Sequence, residues 1–322
     1  MKAWVYERYG PPDVLQLKDV PKPTPRDNEV LIQTRATTVT SGDWRVRSLH
    51  VPAGFGLPAR LALGISGPKQ PILGTELAGV VESIGKDVTK FKAGDEVFAF
   101  AGVAMGCHAE YKCMPENGRV ALKPANLTFE EAAALSFGGS TCLDFFRRGQ
   151  LQRGDRVLVN GASGAVGSAA VQLATHLGAD VTAVCGPANI ELVTSLGANR
   201  VIDYTREDFT KSGETYDIII DTAGTAPFFR SKSSLRARGR LLVVLGSLPN
   251  MLMVPWVSMT SSKRIIAGPA AERPEYLHRL AELAGAGAFK PVIDRRYPFA
   301  QMIEAHRYVD TGRKRGNVVI TL

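Results

Sequence analysis

The sequence predicts an α/β protein, a β-rich unit joined to a doubly wound parallel sheet, and three observations predict it. Residues 1–120 are rich in Pro, Val and Gly and break into short apolar runs such as EVLIQTRAT, LAGVVESIG and GDEVFAF between turn signals. From about residue 127, apolar runs and helical stretches alternate at βα spacing. Residues 160–167 read NGASGAVG, where a strand-like RVLVN enters a run of small residues and leaves it as GSAAVQLATHLGA.

The elements follow in order. NLTFEEAAALSFGGSTCLDFFRR, with an Asn or Thr start and two early acids, reads as a helix beginning. DRVLVNG, AVGSAAVQLATHLG, DVTAVCG, NIELVTSLGA, RVIDY, YDIIIDTAG, SKSSLRARG and RLLVVLGS then alternate strand and helix, SKSSLRARG falling in a helix slot. The strand candidates are apolar along both faces, as in a parallel sheet covered by helices on each side. Past residue 265, a helical PEYLHRLAELAGAG and a strand-like GNVVITL read as a return to the first unit. The expected domains are 1–123 completed by 266–322, and 124–265; 322 residues suffice for two cores.

Composition narrows the function. Apolar residues at 45% and charged residues at 22% suit a globular protein, no run is long and apolar enough to span a bilayer, and the start lacks a signal-like segment, so a cytoplasmic location is expected. Four cysteines are too few for a disulfide framework. The net charge of +8 fits nucleic acid, an acidic membrane face or a phosphorylated small molecule. Its densest stretch, RSKSSLRARGR, has no interleaved aromatics and leads into LLVVLG, which reads more simply as a solvated helix face. No nucleic-acid motif is present, and no nucleic-acid partner is expected.

The small residues at 160–167 have a physical purpose. The spacing Ala162-x-Gly164-x-x-Gly167 is a dinucleotide-binding fingerprint with alanine in the first glycine position. Small residues make the tight turn, Gly164 lets backbone approach a pyrophosphate, and Gly167 lets the helix press on the sheet. Backbone N–H groups and the helix dipole then hold the anion. At the end of the second strand, where an acid takes the ribose hydroxyls of NAD, stand Cys185 and Gly186. Nothing there repels a 2′-phosphate, which favours NADP(H), although no arginine sits in the same turn. Asn189 and Tyr204 are neutral donor candidates, or else a helix cap and a half-buried aromatic.

Taken together, VTSGDWRVR, ILGTELAGVVESIGKDVTKFKAGDEVFAF, NGASGAVGSAAVQLA, TAVCGPANIELVTSLGANRVIDY and DIIIDTAG resemble the medium-chain dehydrogenase/reductase superfamily over nearly the whole chain. The likeness is to its zinc-free quinone-oxidoreductase-like branch, which includes the chloroplast-envelope quinone oxidoreductase homologue and its bacterial relatives. The resemblance implies a GroES-like catalytic domain closed by the C-terminal segment, an inserted Rossmann domain, NADPH, and reduction of electron-poor C=C bonds in enones, enals or quinones. It implies cofactor contacts from Thr141, Ser163, Ala165, Val166, Thr222, Ala223, Leu245, Gly246, Ser247 and Asn317. It also implies a small apolar carbonyl or quinone as substrate, and a homodimer or monomer. Two positions depart from the branch: Thr40 replaces an asparagine of many relatives, and Ala188 replaces an arginine.

The catalytic zinc of other members requires a Cys near Ser41 and a His where Thr75 precedes Glu76, and the four-cysteine structural lobe is missing, so no metal is expected. Cys107, His108 and Cys113 in CHAEYKC are three ligand types in a strand with no fourth, a poor site. Reduction of an activated C=C bond leaves an enolate that needs hydrogen-bond donors, and Thr40, Ser41 and Asp43 are the candidates to line the reacting end. An ionised Asp43 would oppose an enolate, so it orients neighbours or pairs with Arg47 one turn on. Residues 48–71 and SLPNMLMVPW at 247–256 either shape an apolar pocket or pack elsewhere. Two other readings remain. An alcohol dehydrogenase lacks a zinc to polarise the alkoxide, and a non-enzymatic structural or RNA-binding role does not need the intact Gly164/Gly167 turn.

Overall fold

The computed structural model describes all residues, Met1–Leu322. In chain order the elements are β1 (Lys2–Tyr6), β2 (Leu15–Asp19), β3 (Glu29–Val39), α1 (Ser41–Ser48), α2 (Gly56–Leu63), β4 (Glu76–Ile84), β5 (Glu96–Phe100), β6 (Tyr111–Pro115) and β7 (Val120–Leu122). Then come α3 (Phe129–Ala133), α4 (Ser136–Gly149), β8 (Arg156–Asn160), α5 (Ala165–His176), β9 (Asp180–Cys185), α6 (Ile190–Ser195), β10 (Arg200–Asp203), β11 (Tyr216–Asp221), α7 (Phe228–Ser231), β12 (Leu235–Val243), α8 (Leu248–Thr260) and β13 (Arg264–Ile266). The chain ends with α9 (Pro274–Gly285), β14 (Ile293–Pro298), α10 (Met302–Asp310) and β15 (Asn317–Thr321). No helix is long and apolar enough to cross a membrane.

Two compact units form. One holds Met1–Val51, Gly56–Ser140 and Glu272–Leu322; the other holds Pro52–Phe55 and Thr141–Ala271. Residues 124–140, expected with the parallel sheet, cluster with the first unit. There Asn126 Nδ2 donates to Ala284 O (2.9 Å) and Phe137 N to the Glu76 carboxylate (2.6 Å).

The first unit is built on a seven-stranded sheet in the order β14-β15-β3-β4-β5-β7, with β6 also paired to β3. Its spine is β3, whose EVLIQTRATTV is buried along most of its length and pairs with β4, β6 and β15. The C-terminal strand thus completes the N-terminal sheet.

The second unit is an all-parallel sheet in the order β10-β9-β8-β11-β12-β13. Renumbered within the unit, this is 3-2-1-4-5-6, the doubly wound order that opens a crevice at the carboxyl end of the first strand. Val157, Leu158, Val159, Ile218, Ile219 and Ile220 are all buried, as expected of strands covered on both faces.

SKSSLRARG is not a helix. After the short α7, a single 3-10 turn (Lys232–Ser234) leads into β12, which already contains LRARG. Buried Leu235 and Gly239 anchor its first half, while Arg236 is drawn to Asp217 (2.8 Å) and Arg240 to Asp155 (3.0 Å). These cations are strand residues held by acids of the same unit. The stretch 48–71 contains α2, none of whose residues is buried.

Candidate functional site

The strand β8 ends at Asn160, and the chain turns through Gly161 at φ +81°, a conformation that favours glycine. A Cβ at Gly167 would lie 2.1 Å from Gly161 O, so the packing of helix on turn demands glycine there. Gly164 differs: a Cβ there would meet only Gly161 O at 3.7 Å, ordinary contact. Nothing inside the chain requires Gly164 to be bare, and what its missing side chain leaves is open approach to the backbone. Gly164 is also the N-cap of α5 and supplies no side-chain cap, so the N–H groups of Ala165, Val166 and Gly167 in the first turn lack a capping acceptor. Those donors and the helix dipole suit a pyrophosphate.

At the end of β9, burial pushes the Cys185 thiol up to about 11, which makes it inert. A Cβ on Gly186 would sit 3.4 Å from the Tyr204 hydroxyl. Tyr204 donates its backbone N–H to Cys185 O (3.2 Å) and is 66% exposed, so the half-buried alternative is not what forms. Asn189 donates Nδ2 to the Ser163 hydroxyl (3.2 Å), makes no side-chain cap, and leaves Oδ1 buried without a partner. Arg206 lies outside the turn after β9, where the sequence pattern places a phosphate-binding cation. Because β10 lies beside β9, the exposed Arg206 follows Tyr204 at the same sheet end.

Around β11 the organiser is Asp221, also missed. Its buried carboxylate accepts from Asn160 Nδ2 (2.8 Å) and from the N–H groups of Ala223 (3.1 Å), Gly224 (2.9 Å) and Ala226 (2.9 Å). Thr222 donates its hydroxyl to Asn160 O (2.8 Å), which ties the β11 end to the turn after β8. Leu245 and Gly246 lie between β12 and α8, and Ser247 caps α8 by accepting from Asn250 N (3.4 Å). Thr141 lies half-buried on α4. Asn317 belongs to the other unit, where its Nδ2 is spent on Val292 O (3.0 Å).

The first unit holds a buried polar cluster. Thr40 and Asp43 form a capping box on α1: the carboxylate accepts from Thr40 N (2.7 Å) and the Thr40 hydroxyl (2.6 Å), and its other oxygen accepts from Gly74 N (2.8 Å). The Thr40 proton is therefore committed to Asp43, and the half-buried Ser41 hydroxyl is the donor left at this helix start. The pair of Asp43 with Arg47 does not form. Arg47 is fully buried and reaches Asp310 at 2.6 and 2.7 Å instead.

Glu76, which carries no signal in the sequence beyond following Thr75, is fully buried and accepts from the Thr38 hydroxyl (2.7 Å) and Phe137 N. Burial lifts its carboxyl to about 7, against the pull of those two donors. Burial likewise lowers the Lys314 ammonium to about 8, with Glu76 opposing. His108 contacts Thr38 O through Nε2 (2.9 Å), and burial lowers its imidazole below the usual range.

The zinc positions of the wider fold do not fit that metal. Ser41 and Thr75 offer neither sulfur nor imidazole, and no group of three His, Cys, Asp or Glu side chains converges. In CHAEYKC, burial pushes Cys107 up to about 12 and Cys113 up to about 11, the latter within β6.

Residues 26–125 match the Alcohol dehydrogenase GroES-like domain family and residues 196–320 the Zinc-binding dehydrogenase family. The chain is 33% identical to the 2-methylene-furan-3-one reductase of Solanum lycopersicum, covering 99% of this chain and 79% of that protein. It is 30% identical to the NADPH-dependent alkenal/one oxidoreductase of Arabidopsis thaliana, with the same coverage. Its fold superposes on the quinone oxidoreductase of Coxiella burnetii with a TM-score of 0.88, at 28% identity, over 100% of this chain and 99% of that one. Kinship at this level along essentially the whole length agrees with the parallel sheet and its bare glycine turn: the chain belongs to the medium-chain dehydrogenase/reductase superfamily, in the quinone-oxidoreductase-like branch.

Proposed function

We propose that this protein reduces activated C=C bonds of enones and enals, or quinones, with NADPH and without zinc. The observation that carries the reading is the contrast at the turn, where Gly167 is demanded by packing and Gly164 by nothing except a ligand. The preference for NADPH over NADH draws on Gly186 in place of an acid, with Tyr204, Asn189 and Arg206 at the same sheet end to receive a 2′-phosphate. When bound, the nicotinamide supplies the hydride equivalent of the reduction.

The chain's own residues then have three tasks. The first turn of α5 holds the pyrophosphate, and the Asp221 carboxylate keeps the β11 loop in one shape. Ser41 donates to the substrate oxygen on which negative charge collects. Thr40 and Asp43 position Ser41 by fixing the start of α1, which makes Asp43 a positioning residue.

The test is NADPH consumption against enals, enones, quinones and saturated aldehydes, before and after prolonged chelation. Turnover of the first three classes, unchanged by chelation, is expected. Turnover restricted to aldehydes, or lost together with a bound metal, overturns the reading.

A further inference from the structure

Helix α1 has two faces. Asp43 and Arg47, one turn apart, are fully buried and spend their charges within the first unit, Asp43 on Thr40 and Gly74 N, Arg47 on Asp310. Ser41 and Arg45, also one turn apart, lie on the other face and are half-buried. Arg45 folds back toward the helix start. Its Nη1 donates to Ser41 O at 3.4 Å, a long and weak bond, and its guanidinium carbon lies 5.0 Å from the centre of the Trp44 ring. Trp44 is itself stacked on His50, ring centres 5.0 Å apart. An aromatic plane rather than an acid therefore holds this cation. Among the arginines that are buried or half-buried, Arg47, Arg119, Arg148, Arg156 and Arg240 each meet a carboxylate, and Arg45 meets none. Burial alone lowers its pKa, with no acid to oppose the shift. A guanidinium stays charged in a protein, so Arg45 is a partly desolvated cation with donors to spare beyond its one weak bond.

We propose that Arg45 makes the protein selective for substrates with a carboxylate attached directly to the enone carbonyl, Ser41 taking the carbonyl oxygen and the Arg45 fork the carboxylate beside it. The assignment rests on the reading of Ser41 as the donor at the reacting end. Two features favour a carboxylate over a lone enolate oxygen. The fork offers parallel N–H donors, which match the two oxygens of a carboxylate. Its tip also sits at the Ser41 carbonyl, so the two groups recognised must be neighbours in the ligand. An unsaturated α-keto acid, in which carbonyl and carboxylate share a bond, meets both conditions. Because Trp44 already holds the guanidinium, little side-chain freedom is lost on binding, and the formal charge of +8 favours the approach of an anion. The rival occupant is a cofactor phosphate, which has its own donors at the first turn of α5 in the other unit.

The experiment has two readouts on the full chain with NADPH. One is kcat/KM for benzylidenepyruvate and for its methyl ester. The other is calorimetric binding of the saturated benzylpyruvate and its methyl ester, which needs no turnover. Expected is a preference for the acid over the ester of about tenfold or more in both. Arg45→Met, whose straight chain still covers Trp44, should lose about tenfold or more on the acids and stay within about threefold of the parent on the esters. Arg45→Lys, a point charge without the fork, should fall between. Lys86→Met, which removes an exposed charge of the same unit, should match the parent, and melting temperatures should stay close for all. Acid and ester bound equally by the parent overturn the proposal. Acid and ester falling together in Arg45→Met also overturn it and make Arg45 a general donor to the enolate. Weaker NADPH binding in that variant, with the acid-to-ester ratio unchanged, assigns the guanidinium to the cofactor. If benzylpyruvate binds through Arg45 while no alkene or quinone is reduced, the carboxylate site stands and the reductase reading fails. Normal reduction of neutral enones with no preference for the acids gives the reverse.

Discussion

Asp43 and Thr40 hold each other across the first turn of α1: the carboxylate takes both the N–H and the hydroxyl proton of Thr40, while the Thr40 oxygen takes the N–H of Asp43. The same carboxylate reaches Gly74 N, so one side chain joins the helix start to the segment before β4. Asp43→Ala should therefore cost about 2–4 kcal/mol, a lost cap plus stranded buried donors. Thr40→Ala, which leaves the Asp43 bonds to Thr40 N and Gly74 N, should cost about 1 kcal/mol. Denaturant titration of both variants checks this, and equal costs would refute the special place of Asp43.

The two glycines of the turn should part company under mutation. Gly164→Val keeps the fold within about 1 kcal/mol, since its Cβ has room, but weakens NADPH binding by at least roughly tenfold because the branched side chain stands where backbone meets pyrophosphate. Gly167→Ala, driven into Gly161 O, destabilises the protein itself by about 1–3 kcal/mol. Melting temperature with and without NADPH separates the two effects. Unchanged affinity in Gly164→Val removes the turn from the cofactor site.

Cofactor choice should turn on Gly186. Its substitution by Asp is sterically allowed next to Tyr204 and puts a carboxylate where it would accept from a ribose hydroxyl pair and repel a 2′-phosphate. Each charge-assisted hydrogen bond to that phosphate is worth roughly 1.5–3 kcal/mol, so the ratio of kcat/KM for NADPH over NADH should fall by at least about tenfold at fixed salt. Arg206→Ala should lower the NADPH term and leave the NADH term unchanged. A parent that already prefers NADH, or a ratio that does not move, ends the 2′-phosphate argument.

Glu76 should make stability fall as pH rises. Its carboxyl is lifted to about 7 in the fold against an ordinary value near about 4.3 in the unfolded chain, so the folded state holds the extra proton between them. The associated stability is complete below about pH 4.3 and is lost as pH rises through 7, a change of a few kcal/mol. Lys314, lowered to about 8, works in the opposite sense at higher pH: its contribution is present above its unfolded value and is lost as pH falls through 8. Glu76→Gln keeps the side-chain shape and one acceptor, enough for Phe137 N while the Thr38 hydroxyl turns to accept from the amide, and removes the proton linkage. Melting temperatures from pH 4.5 to 7 should thus fall in the parent relative to Glu76→Gln; parallel curves would show that Glu76 keeps its usual acidity.

Short-range signals are the part of this fold that is legible residue by residue. The alternation of apolar strands with helices from about residue 127 depends on neighbours within each segment. So does the NGASGAVG turn, in which Gly161, Gly164 and Gly167 act on one another across a few residues. Together they predict the parallel sheet and its dinucleotide turn. The tertiary structure alone decided which charges meet, because those partners are far apart in the chain and are set by strand register and packing. Asp43 bonds to Gly74 rather than to Arg47 one turn away, and Arg47 finds Asp310 across 263 residues. Glu76 became a buried acid only because Thr38 stands on the adjacent strand and Phe137 at the start of α4. The same applies to LRARGR, which reads as a solvated helix face until Leu235 pairs with Tyr216 of β11, Arg240 falls between β11 and β13, and Asp217 and Asp155 receive Arg236 and Arg240. Local pattern specifies the scaffold, whereas the protonation and pairing of its polar groups depend on burial, which only the assembled chain creates.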